Sequence, residues 1–328
     1  MEDNIIIRRI TTEDKEKLVE LYDRVWPETA GEKNGKTSWA VDTSEYKGMC
    51  AEKDGIIIGS RMAFHANLYI GTDKLTSVQF GDSCVDKEYR RYGLFSRMNR
   101  AFLDIYFKTG YELIYNVSVE ASKKAYQKVG WQYIDAYCGL LYSPNYLKLL
   151  WKLKGDIRKI GGNPHFEKSP IPDVDIIPDD LLVEREEKFV SACLIHNRYD
   201  KNTLKWRVNS NSGIRLFYQS ELGACLYKIG SKHGLSCLTL GEIFPRDYSY
   251  DIISQILSIL VKQNSPDIVN FSLSINHPLY KIIKKYGFYN NPTKKFLNLG
   301  VRVNTDIMKA VAYNPNNWGI SSLDIDTF

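Results

Sequence analysis

The stretch from Val78 to Trp131 constrains the fold more than any other part of the chain. It opens with an apolar run, V-Q-F-G-D-S-C-V from Val78 to Val85, which reads as a buried strand. A short polar turn, Asp86 to Tyr89, leads into R-R-Y-G-L-F-S, Arg90 to Ser96. Leu94, Met98, Ala101, Phe102 and Ile105 then recur at helical spacing, giving a helix with one apolar face. The first N–H groups of such a helix have no intrahelical partner, and the helix dipole favours negative charge there. Gly93 can take a positive φ and has no Cβ to hold an anion away. Arg90 and Arg91 add charge-assisted donors. The turn therefore suits a pyrophosphate or clustered phosphates, although a plain strand-to-helix turn with surface arginines would read the same way.

The continuation narrows this. Tyr111 to Ser118 reads as a second strand, and A-S-K-K-A-Y-Q-K-V-G-W, Ala121 to Trp131, as a short helix ended by Gly130. Together, V-D-K-E-Y-R-R-Y-G-L-F and A-Y-Q-K-V-G-W resemble the two central motifs of the GNAT acyl-CoA-dependent N-acyltransferase superfamily. The sequence departs from the family pattern at Lys87, where proline is usual, and at Phe95, where the phosphate loop has a second small residue. The resemblance implies acetyl-CoA or another acyl-CoA as co-substrate. It implies direct acetyl transfer to a primary amine of a small-molecule acceptor, an amino sugar being one option.

The same resemblance supplies the candidate site. Arg90, Arg91, Tyr92, Gly93, Leu94, Phe95 and Ser96 would hold the pyrophosphate. Backbone groups near Cys84 and Val85 would pair with the pantetheine arm in a gap between two splayed strands, and an N–H near Val85 would serve the oxyanion. Asn116 and Ser122 would hold the pantetheine or adenosine end. Tyr126 matches the family tyrosine that hydrogen-bonds the leaving thiolate. A phenol (pKa about 10) is a weaker acid than a thiol (about 8.5), so a hydrogen bond is favoured over full proton transfer. An attacking amine must lose a proton to a base. Asp82 is the best-placed carboxylate, with Asp86 and Glu120 as alternatives, and each also fits a structural role.

The expected fold class is α+β, with two tandem GNAT-like domains, each a mixed, mostly antiparallel sheet flanked by helices. The acyl-CoA-binding domain is expected over 1–143, closing with a strand at Tyr137–Tyr142. A helical and Pro/Gly/Asp-rich linker follows over 144–184. Its lysine-rich segment Tyr146–Ile160 reads as an inter-domain packing helix or a membrane-surface helix. Glu28–Lys47 reads as a loop bordering the acceptor, in which Trp39 and Tyr46 either touch the acceptor or pack the loop down. A degenerate copy of the fold is expected over 185–303. There H-P-L-Y-K-I-I-K-K-Y-G-F, His277 to Phe288, echoes the tyrosine helix but puts Ile283 opposite Tyr126. Phe244 to Tyr250 lacks a glycine where Gly93 would sit, so this half is expected to bind no CoA. The tail 304–328 carries Trp318, Leu323, Ile325 and Phe328 to dock with, and Asp324, Asp326 and its terminal carboxylate as candidate acceptor contacts.

Other chemistries lack support. The six cysteines are scattered without a C-x-x-C, arguing against a disulfide scaffold and for a reducing, cytoplasmic setting. The five histidines show no metal-ligand spacing, so no metal is expected. A net charge of +5 does not by itself imply nucleic acid, and no apolar run is long enough to span a bilayer. Tandem GNAT-like halves also occur in tRNA-dependent peptidyl transferases, which typically lack a good CoA turn. That reading and a non-catalytic acyl-CoA-binding protein are the alternatives. Oligomeric state is not legible.

Overall fold

The computed structural model describes residues 4–27, 33–43, 47–162, 164–209 and 213–325. The first half runs β1 (Ile6–Arg9), α1 (Lys15–Val25), α2 (Lys33–Thr43), β2 (Gly48–Lys53), β3 (Ile56–Ala66), β4 (Leu68–Ile70), β5 (Asp73–Lys74), β6 (Ser77–Val85), α3 (Leu94–Tyr106), β7 (Leu113–Ser118), α4 (Glu120–Gln127), β8 (Gln132–Ile134) and β9 (Tyr137–Tyr142). The second half runs α5 (Tyr146–Leu153), β10 (His165–Phe166), α6 (Asp179–Ser191), β11 (Ile195–Asn197), α7 (Lys201–Val208), β12 (Arg215–Gln219), β13 (Gly223–Lys232), β14 (Leu235–Pro245), α8 (Tyr250–Asn264), β15 (Ile268–Ser274), α9 (Tyr280–Tyr286), β16 (Tyr289–Asn290), β17 (Asn298–Val303) and α10 (Asp306–Ala312).

Local chemistry sets the elements around the site. Thr11 and Asp14 form a reciprocal capping box before α1, as the T-x-x-D spacing suggests. The β2–β3 hairpin turns through Asp54 and Gly55, both at positive φ. On α3, Leu94, Met98, Phe102 and Tyr106 recur along one face and are buried against Phe80 and Ile114 of the sheet. Each such side chain contributes about 1.5–3 kcal/mol on burial. Part of the expected Glu28–Lys47 loop is helical: α2 packs Trp39, Ala40 and Val41 against α1 and β3.

Among the described residues the sheets are mixed and mostly antiparallel. The first has the order β1-β2-β3-β6-β7-β17-β8 and the second β10-β13-β14-β15-β9-β16, with β12 also on β13. Each contains one parallel pair, β6 with β7 and β14 with β15. A small third sheet, β11-β4-β5, joins the halves.

Strand membership departs from the sequence expectation. Tyr137–Tyr142 does not close the first sheet; as β9 it pairs with β15 and β16 of the second. Its place is taken by β17, which inserts between β7 and β8. Backbone pairing is non-local, and both strands are apolar enough to be buried in either sheet. Residues 144–184 are also more than a linker. Leu149 and Leu153 of α5 pack onto the second sheet, β10 edges it, and α6 begins at Asp179. Leu147 and Trp151 on the other face of α5 are exposed. No helix among the described residues is long and apolar enough to cross a membrane.

Candidate active site

The first parallel pair is short. Ser77, Val78 and Gln79 pair with Leu113, Ile114 and Tyr115, after which β6 and β7 diverge. A bulge steers the divergence. Ser60 and Met62 of β3 face Cys84 and Gly81 of β6, leaving Asp82 and Ser83 opposite Arg61 alone, with Asp82 at φ 39°. The gap opens into a cleft of about 960 Å³, lined by Gly81–Val85, Arg90, Arg91, Gly93–Phe95, Asn116–Val119, Ser122 and Tyr126 among others. Its size is that of a small-molecule or cofactor site.

The turn above the cleft leaves the start of α3 open. Gly93 N-caps α3 in the left-handed conformation, φ 69° and ψ 11°, and no side chain caps the helix. A Cβ added at Gly93 would meet no atom within 4 Å, so the space before the helix is open. No acidic residue lies in the first turn of α3 to neutralise its dipole. Arg90 Nε donates to the Val85 carbonyl at 3.3 Å, tying the turn to the strand end. Tyr92 and Ser96 belong to this turn but do not line the cleft; Tyr92 leans toward Tyr89.

The opposite wall comes from α4 and β7. Tyr126 is buried, with its ring edge-to-face against Phe95 at 4.9 Å and Trp131 at 5.0 Å. Its hydroxyl accepts a hydrogen bond from Arg61 Nη1 at 2.5 Å. Phe95, the departure from the family loop, thus packs on the tyrosine while also lining the cleft. Asn116 is buried, and its side-chain oxygen has no hydrogen-bond partner among the described residues. An unpaired buried acceptor on a cleft wall suits a ligand N–H. Ser122 Oγ donates to Val119 O at 3.0 Å, and Cys84 Sγ lies 3.6 Å from Ser60 Oγ.

The three carboxylates part company. Asp82 lines the cleft and forms an ion pair with Lys36 of α2 at 2.9 Å. Asp86 caps the turn at Glu88 and pairs with Arg24 at 3.1 Å, outside the lining. Glu120 is tied to Lys294 at 2.8 Å and Asn298 at 3.1 Å; hydrogen bonding to Lys294, then to Asn298, holds its pKa below the usual value. Trp39 is a packing residue. It is buried between Phe64 and Trp206, donates to the Trp206 carbonyl at 2.8 Å, and does not line the cleft. Tyr46 lies outside the described residues.

The tail docks deeply. Trp318 is fully buried, and Asp324 is buried with its side chain accepting from Tyr199 and Ser321. Gln79 of β6 donates to the Asp324 carbonyl at 2.8 Å, so the tail meets β6 three residues before Asp82. The Asp324 carboxylate is therefore spent on structure, while Asp326 and the terminal carboxylate lie outside the described residues. In the second half the start of α8 is occupied by the chain itself. Ser249 accepts from Ile252 N at 3.4 Å, and Asp251 sits in the first turn. Ile283 is buried in the core.

Sequence reasoning missed Arg61. It is fully buried, donates to both Tyr126 and Ser83 at 2.5 Å, and lies 3.7 Å from the Phe80 ring centre. The available signal was a lone arginine within the apolar strand I-I-I-G-S-R-M-A-F.

The family model described as an acetyltransferase (GNAT) domain matches residues 6–134. Among solved structures, a GCN5-related N-acetyltransferase from Kribbella flavida is similar over 94% of this chain and 73% of its own, at 12% identity and TM-score 0.62. A GCN5-related N-acetyltransferase from Anabaena variabilis is similar over 94% and 74%, at 10% identity and TM-score 0.63. Eis1 from Mycobacterium abscessus is similar over 94% and 75%, at 13% identity and TM-score 0.53. At these identities the likeness speaks for fold alone. No curated protein matches the sequence. Residues 6–134, which contain the Gly93 turn, the diverging strands β6 and β7 and the helix carrying Tyr126, match the acetyltransferase (GNAT) domain model.

Proposed function

We propose that the protein transfers an acetyl group from acetyl-CoA to the primary amine of a small acceptor by direct attack. One observation carries this reading: a single cleft joins an open, uncapped helix N-terminus at Gly93 to the Tyr126 wall across two diverging strands. In this reading the α3 N–H groups, Arg90 and Arg91 hold the pyrophosphate, and Asn116 accepts from a pantetheine amide. The amine nitrogen forms the new C–N bond. The oxyanion takes a hydrogen bond from backbone near Val85. The C–S electron pair leaves with sulfur, and Tyr126 donates a hydrogen bond to the thiolate. Asp82, held by Lys36, receives the amine proton directly or through water.

Thermal unfolding with and without acetyl-CoA tests the cofactor assignment, with Gly93→Glu as control. At a hundredfold excess over Kd, binding adds about 2.7 kcal/mol. That corresponds to a rise of several degrees at roughly 2–4 °C per kcal/mol. The rise is expected in the natural protein and not in Gly93→Glu, whose carboxylate would occupy the anion space. Equal rises in both proteins would remove the turn from the site. Release of free thiol in a panel of amines then tests the acceptor class.

A further inference from the structure

We propose that Arg61 is a positioning residue for thiolate release: it takes up the acceptor side of the Tyr126 hydroxyl and leaves the phenol proton for the sulfur. The inference rests on the acetyl-CoA reading above. Arg61 stands on β3 opposite the β6 bulge, is 0% exposed and does not line the cleft, whereas Tyr126 does. One nitrogen, Nη1, donates to Tyr126 Oη and Ser83 Oγ, each at 2.5 Å. The guanidinium carbon lies 3.7 Å from the ring centre of Phe80, 4.8 Å from Tyr126, 5.6 Å from Phe95 and 5.9 Å from Trp131. The cation is thus flanked by the Tyr126 ring itself and by three further aromatic rings, Phe80, Phe95 and Trp131.

Burying a guanidinium is costly, and an apolar side chain would fill that space at less expense. What the charge adds is direction. A guanidinium can only donate, while a phenol oxygen both accepts and donates. With Arg61 on the accepting side, the Tyr126 O–H must point away from the guanidinium, and Tyr126 is a residue of the cleft wall. As the C–S bond breaks and the electron pair moves onto sulfur, the array Arg61 N–H to Tyr126 O–H to S⁻ polarises in one sense. Tyr126 keeps its proton throughout, and the thiolate takes one from solvent after leaving.

The test reads the thiol of bound CoA and needs no acceptor. Its ionisation is followed by the ultraviolet thiolate band, with the desulfo-CoA complex as blank. In the natural protein the bound thiol should titrate about one pH unit below its free value of about 8.5. Arg61→Met and Tyr126→Phe should each abolish that depression, and Arg61→Met should add nothing in the Tyr126→Phe background. Arg61→Lys keeps the cation but not the fork, so it should give an intermediate value, and it decides the matter if Arg61→Met does not fold. The inference is overturned if the bound thiol is undepressed in the natural protein, if either Arg61 variant titrates like it, or if the Arg61→Met effect persists undiminished without the Tyr126 hydroxyl. Absence of CoA binding to the natural protein by calorimetry would instead overturn the proposed function beneath it.

Discussion

Glu242 of β14 is 0% exposed, so its carboxylate survives only if cations hold it. Arg185 donates to it through Nε at 3.1 Å and Nη2 at 2.8 Å, and His277 Nε2 lies 3.4 Å away. Burial alone would raise its pKa, but Arg185 and His277 outweigh burial and bring it down to about 2. A folded-state pKa below the unfolded value of about 4.5 contributes stability that is complete above pH 4.5 and lost as pH falls toward 2. The difference corresponds to about 3 kcal/mol. Glu242→Gln leaves Arg185 buried without its counter-charge and should cost about 3–5 kcal/mol in urea unfolding at neutral pH. It should also flatten the loss of stability between pH 4.5 and 2. Parallel pH profiles for the two proteins would show that the pair does not govern acid unfolding. At this scale the sequence was half legible. Gly93 and Tyr126 could be singled out because their neighbours in sequence spell local motifs, and the fold brings both to one cleft with Asn116. Arg61 and Glu242 could at best be noticed as lone charges in apolar strands. Their partners lie 65 and 57 residues away, and only the folded sheets reveal them.

The elements show why single strands and helices were legible while their assignment to sheets was not. Hydrophobic period and turn residues report each strand, but nothing local reports its neighbour. β8 ends at Ile134 and β9 starts at Tyr137, yet the short turn between them sends the two strands into different sheets. The strand that replaces β9, β17, has a consequence for the site. Its Gly300 lies opposite Asn116, and a Cβ there would sit 2.6 Å from Asn116 Oδ1 and 3.1 Å from the Tyr133 ring. The missing Cβ at Gly300 leaves room for the Asn116 amide oxygen close to β17, and Asn116 also lines the cleft. Gly300→Ala should displace that amide and lower stability by about 1–3 kcal/mol through overpacking. If the Asn116 oxygen accepts from pantetheine, acetyl-CoA affinity by calorimetry should also fall about tenfold, the equivalent of roughly 1.4 kcal/mol. An unchanged Kd with reduced stability would confine Asn116 to packing.

Exchange of β9 and β17 makes the halves one mechanical object, and the tail reinforces this. Trp318 bridges to Ile195 of the small sheet, Ser321 to Leu273 of the second sheet, and Gln79 of the first sheet binds the Asp324 carbonyl. Three sheets therefore share one strap, and none can open without releasing contacts in another. Heat unfolding should accordingly be a single cooperative transition, with calorimetric and van't Hoff enthalpies equal. Trp318→Ala removes the largest fully buried side chain among the described residues and should cost about 3–5 kcal/mol. The loss should lower the midpoint of the whole transition rather than detach one part. A fragment of residues 1–143 would carry β9 with no sheet to enter and β7 with an open edge where β17 belongs. Such an apolar, unpaired edge favours aggregation. The fragment should fail to melt cooperatively or bind acetyl-CoA, although it holds every residue of the proposed cofactor site. A monomeric fragment that binds acetyl-CoA like the full chain, or two separate transitions in the full chain, would show that the exchanged strands are replaceable and the halves energetically independent.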